Sequence, residues 1–238
     1  MKTTLIALFL SIASVVSAQI KFENGYIINN ENQRIECLIK NMDWKFNPVH
    51  LEYKKTANGI AEKGTLSSIK EFGITGFSRY VRADVKIDIS PADLINLSHE
   101  RDPVWSQERM FLKVLVEGKA KLYYYEKEKL IRFFYSVSDT SINQLIYKQY
   151  YVGNDQIAEN FKFREQLWNN VRCSNAGLNS VENLRYTRSE LERYVKKYNE
   201  GSESRPIVNS DKKKREYFHI RLTPGLNYSG VEVLYLML

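Results

Sequence analysis

The chain has 238 residues, 43% of them hydrophobic and 26% charged, with a formal net charge of +7 and a pI near 9.2. That length suffices for one large domain or two small ones with a real core. The positive charge is spread along the sequence rather than gathered in one stripe, which argues against a nucleic-acid partner and points to a solvated surface, or to attraction toward anionic lipid or glycan.

The chain opens with Lys2, an apolar run over residues 5–10 extended through 12–16, and Val16-Ser17-Ala18 ahead of Gln19. This is the pattern of a secretory signal peptide over residues 1–18, too short in its apolar part to span a bilayer and ending in a cleavage-like site. The alternative is a buried N-terminal helix or strand, but nothing amphipathic relates the segment to a partner. Cleavage would leave 220 residues (238 minus 18) and, without Lys2, a charge of +6. Export to the periplasm or outer membrane is therefore expected.

Residues 22–28 and 34–40 flank Asn29-Asn30-Glu31-Asn32, where asparagine tolerates positive φ, and they read as a β-hairpin. Residues 50–54 resume an extended run that stops near Asn58-Gly59, and residues 66–72 are either a strand or a short turn of helix. From Tyr80 to Ile89 the alternation is nearly complete, with Val81, Ala83, Val85, Ile87 and Ile89 on an inner face and Arg82, Asp84, Lys86 and Asp88 on a wet one. Residues 95–103 form a polar connection. The densest strand signal is residues 110–137, where Glu117-Gly118-Lys119 and the charged run 126–129 turn the chain between three alternating segments and so make an antiparallel β-meander.

After Val137 the period changes to about 3.6. Asn154 or Asp155 is placed to cap a helix with Ile157, Phe161, Trp168 and Val171 on one side. Thr187-Arg188-Ser189-Glu190 has capping-box spacing ahead of Leu191, Tyr194, Val195 and Tyr198, with Gly201 as the stop. Residues 201–215 contain Pro206 and a basic end and read as a linker. Residues 216–238 turn extended again, with Phe218, Ile220 and Leu222 alternating against His219, Arg221 and Thr223. The fold class that follows is α+β: an antiparallel meander sheet with two amphipathic helices on it over residues 19–200, then the basic linker, then one or two terminal strands patterned like the start of an outer-membrane barrel.

Two cysteines, Cys37 and Cys173, fall in ordered-looking segments of an exported chain, so a disulfide is one reading. It would close a loop of about 137 residues and, in the chain-entropy model, stabilise by about 5 kcal/mol. Two buried thiols that never meet is the other reading. The triplets Tyr123-Tyr124-Tyr125 and Phe133-Phe134-Tyr135 are the one unusual enrichment. Strand neighbours point to opposite faces, so some of these rings, Tyr123, Tyr125 and Phe134 among them, lie either under a packed helix or on an interaction surface for glycan or peptide.

Gly59 to Gly64 has the glycine spacing of a phosphate loop but lacks the following lysine, and a turn between strands is the better reading, with no nucleotide bound. His50, His99 and His219 share no ligand spacing, so no metal site and no cofactor is expected. No nucleophile-elbow or metalloprotease pattern occurs, and no catalytic residue is assigned. Asp84 with Asp88, the carboxylate pair that a secreted glycan-acting enzyme would use, reads as a solvated strand face.

GYIINNENQRIECLIKNMDWKFNP at 25–48, MFLKVLVEGKAKLYYYE at 110–126, LIYKQYYVGNDQIAENFKFREQL at 145–167 and FHIRLTPGLNYS at 218–229 together resemble a group of uncharacterised Gram-negative envelope proteins. The resemblance implies a periplasmic N-terminal domain followed by a porin-like outer-membrane β-barrel, with outer membrane or envelope components as partners. Its motifs are packing motifs and name no catalytic residue. A closed barrel needs at least eight strands, more than the 23 residues after Arg215 provide, so the chain looks truncated relative to that group. The function expected is a non-catalytic binding or structural module of the cell envelope.

Overall fold

The computed structural model describes residues 21–138, 140–153, 156–173, 177–201 and 207–208. The signal-peptide segment, most of the basic linker and the terminal strands expected over 216–238 lie outside these residues. Strands β1 (Phe22–Asn29) to β6 (Ser78–Asp88) include β2 (Arg34–Lys40), β3 (His50–Lys54), β4 (Glu62–Thr65) and β5 (Ile69–Ile74). The meander is β7 (Trp105–Glu117), β8 (Ala120–Lys127) and β9 (Leu130–Val137), and β10 (Asn143–Leu145) follows it. These strands form one antiparallel sheet in the order β10-β9-β8-β7-β6-β5-β1-β2-β3-β4. Segment 66–72 resolves into a turn followed by a strand, and Gly59 sits in the turn between β3 and β4, with no helix after Gly64.

The connections force this sheet to curl. β4 and β5 are separated by three intervening strands, which on a flat sheet would be about 19 Å. Yet they are joined by a turn in which Ser68 N donates to Thr65 O. The run β5-β1-β2-β3-β4 therefore rolls up around Ile27, Cys37, Ile39, Leu51, Tyr53, Ile69, Phe72 and Ile74. Gly64 lets the roll close at this turn, since a Cβ there would stand 2.8 Å from side-chain atoms of both Ile69 and Leu51. The same reasoning applies to β6 and β10, again four spacings apart along the sheet, yet packed side by side with Asp88 N donating to Gln144 Oε1 at 2.8 Å. This second roll encloses Ala83, Val85, Ile87, Met110, Leu112, Val114, Tyr123 and Phe134.

Pairing shows that the two rolls curl toward opposite faces. Ile27 lies opposite Phe72, Phe72 opposite Tyr80, and Arg82 opposite Phe111, so the first interior lies on the face carrying Tyr80 and Phe111. Ala83 lies opposite Met110, Val114 opposite Tyr123, and Tyr123 opposite Phe134, on the other face. The outer face of the second roll is covered by helices α1 (Lys162–Asn170) and α3 (Arg188–Glu200), with the four-residue α2 (Asn179–Glu182) between them. Their Phe163, Leu167, Leu191, Tyr194 and Val195 pack on Leu115, Val116, Leu122, Phe133 and Tyr135. A bulge in β7 at Leu115 turns both Leu115 and Val116 toward this layer. Strand β13 (Ile207–Val208) adds to β7 at Val116 and Glu117, inside the segment read as linker.

Several expectations are corrected here. The segment read as helical from Asn154 begins instead with a hairpin of β11 (Lys148–Val152) and β12 (Gln156–Asn160), because Gly153 at φ +66° turns the chain tightly and Tyr151 then pairs with Ile157. Helix α1 starts only after Asn160, whose side chain accepts from Lys162 N. Thr187 does precede α3, but without the capping box: Glu190 accepts from Arg185 N and its guanidinium rather than from Thr187. Cys37 and Cys173 are both free, because Cys37 packs inside the first roll while Cys173 follows Val171 in the helical layer of the second. Burial pushes the Cys37 thiol up to about 11.

Candidate binding pocket

Tyr123, Tyr125 and Phe134 do not form an interaction surface. Tyr123 and Phe134 lie inside the second roll, 5% and 0% exposed, and half-buried Tyr125 packs on the same cluster. The remaining rings of the triplets, Tyr124, Phe133 and Tyr135, sit under the helices. The sheet's curl covers one face and the helices the other, so the aromatic enrichment is core on both sides. Asp84 and Asp88 also part company. Asp84 is exposed and bound to the Arg109 guanidinium, which holds its carboxyl below the usual range. Asp88 is fully buried. Four residues along one strand put the two about 13 Å apart, beyond the 5–9.5 Å of paired glycosidase carboxylates.

Asp88 instead closes the end of the second roll. Its Oδ2 accepts from Arg132 Nη2 at 3.0 Å, its carbonyl from Arg132 Nε at 2.9 Å, and its Oδ1 from the amides of Ser90 and Val104. Arg132 also donates to Ser90 O and Ile131 O. This ion pair is buried on both sides, so its hydrogen bonds must replace lost hydration. It ties the start of β9 to the loop that leaves β6.

Beside this latch is a cavity of about 220 Å³ where β10 leaves β9. One wall is aromatic: the Tyr147 and Tyr186 rings stack at 4.9 Å, and Tyr186 makes edge contacts with Phe133 at 5.0 Å and Phe163 at 5.2 Å. Tyr186 is fixed because its hydroxyl accepts from Phe133 N at 2.9 Å and donates to Leu145 O at 2.8 Å, bridging two strands as their pairing ends. Burial raises the Tyr186 phenol well above its usual range, and burial with the Glu159 carboxylate does the same for Tyr147. The other walls are Pro91, Ala92 and Ile131, with Lys129, Arg132 and Lys148 as the cationic groups. Lys148 is only 3% exposed, and its ammonium donates to Asp102 O at 2.6 Å, pinning the loop that Asn160 also holds through Arg101 O.

Neither Arg132 nor Lys148 was singled out by the sequence. The available signal was Arg132 itself, a charge between Ile131 and Phe133 in a strand with apolar residues on both faces. Among the described residues no three His, Cys, Asp or Glu side chains gather as a metal set. Comparison with known proteins finds no matching family model, no matching curated protein and no matching solved structure.

Proposed function

We propose that this chain is an exported cell-envelope protein whose double-rolled domain is a non-catalytic binding or structural module associated with the outer membrane. The observation that carries the reading is the N-terminal pattern: Lys2, the apolar run from residue 5 and the small-residue site before Gln19. The alternation of Phe218, Ile220 and Leu222 and the likeness to envelope proteins support the membrane association. A non-catalytic role is supported by what the buried charges do, since Asp88 and Arg132 are spent on each other and on main-chain groups. Fractionation of cells making the untagged chain should place it in the envelope, shortened by about 18 residues as judged by its N-terminal sequence. A variant lacking residues 2–18 should stay in the cytosol; full-length protein retained in the cytosol with Met1 intact would end the reading.

A further inference from the structure

We propose that the cavity beside the Asp88–Arg132 latch binds a small organic anion, a carboxylate on an apolar or aromatic body. Charge is the first argument. Of the cationic groups lining the cavity, Arg132 is neutralised by Asp88, and Lys129 is mostly exposed with Asp93 3.6 Å away. Lys148 differs: it is buried, it makes one hydrogen bond to a carbonyl, and it forms no ion pair among the described residues. An ammonium has three donors, and removing one from water without a counter-charge is costly. No acidic side chain lines the cavity, and the nearby Glu159 is engaged by Tyr147 and Gln149. Lys148 is therefore the one lining cation with no carboxylate partner among the described residues.

Shape supplies the second argument. At about 220 Å³ the cavity is smaller than the roughly 300–1,000 Å³ of pockets for drug-sized ligands, so its occupant is fragment-sized. Its walls are Ala92, Ile131 and the Tyr147 and Tyr186 rings, and Tyr186 is already held at its hydroxyl by two strands. Inorganic phosphate prefers many convergent N–H donors, whereas this lining is mainly apolar and Lys148 is its one cation without an ion pair among the described residues. A monocarboxylate with an apolar body matches both parts.

This deepens the reading of the domain as a binding module, and the two can fail separately. The full chain is titrated with benzoate and with its neutral analogue benzyl alcohol, following amide shifts by NMR. Benzoate should bind at least ten-fold more tightly. Lys148→Met, checked for an unchanged near-UV spectrum, should weaken benzoate at least ten-fold and leave benzyl alcohol unaltered, while Ala92→Trp should abolish both by filling the cavity. Equal binding of the two probes overturns the anion and leaves a neutral pocket; binding of neither overturns the anion and removes the pocket as the module's site. Benzoate binding that survives Ala92→Trp lies elsewhere and also overturns the proposal. If Lys148→Met does not fold, the probe comparison and Ala92→Trp decide alone.

Discussion

Asparagine and glutamine side chains stand in for backbone at several points of this molecule. Asn199, fully buried on α3, accepts from Ala120 N at 2.9 Å and donates to Ala120 O at 2.8 Å, closing the β7–β8 turn. Gly118 occupies that turn at φ +150°, where a Cβ would come within 2.4 Å of the Asn199 amide. Asn199→Ala orphans both main-chain groups of Ala120, so urea denaturation should show a loss of about 2–4 kcal/mol. Gly118→Ala should lose about 1–3 kcal/mol by crowding the same amide. At the latch, Arg132→Met leaves a buried carboxylate without its counter-charge and should cost about 3–5 kcal/mol; Asp88→Asn added to it should recover part of that loss. These residues were not legible in the sequence, because an amide that substitutes for a strand neighbour follows no period and depends on partners up to 82 residues away.

For whole elements the sequence was a better guide where a strand serves one interior. The first hairpin, β3 and the meander lie where alternation and turn residues place them. Strand β6 serves two interiors, so its apolar residues change phase: Ser78 and Tyr80 are buried on one face, then Ala83, Val85 and Ile87 on the other. The second phase then fails at the strand's end, where the Arg132 latch buries Asp88 and leaves Ile89 exposed, the reverse of what simple alternation expects. The edge of β10 shows a different device. Gln166 on α1 accepts from Ile146 N at 2.8 Å and donates to Gln144 O at 2.9 Å, capping an edge that would otherwise be open. Gln166→Leu should both destabilise the fold and expose that edge, seen as a lower melting temperature and a new dimer or aggregate peak in size-exclusion chromatography. On α3, Glu190 is held below the usual carboxylate range by the Arg185 amide and then its guanidinium. A depressed carboxylate stabilises above its unfolded pKa of about 4.3, and that contribution is lost as pH falls through the folded value. Glu190→Gln should accordingly flatten the acid side of the stability profile, measured by thermal melts below about pH 5.

Across the whole molecule the two rolls share β6 and β7, and Asn47 staples them. Its amide donates to Phe111 O and Tyr124 O and accepts from Glu126 N where β7 and β8 part, while Trp44 nearby packs on Phe72 and Tyr80. The rolls should therefore unfold together. With Trp105 and one other tryptophan replaced by Phe, fluorescence from Trp44 reports the first roll and from Trp168 the helical layer of the second, and their urea midpoints should coincide; separate midpoints would refute the coupling. The cavity beside the latch lay beyond sequence reading because it forms where segments distant in the chain diverge, after the second curl is made. β7 contributes to all three cores, with Phe111 in the first roll, Met110, Leu112 and Val114 in the second, and Leu115 and Val116 under the helices. The chain reaches Val208 through a two-residue ladder on this same strand. Tension arriving from beyond Val208 would meet that ladder before any core, and two residues peel at small load. Under such a load the pairing would yield first, a mechanical fuse ahead of the strand common to every layer.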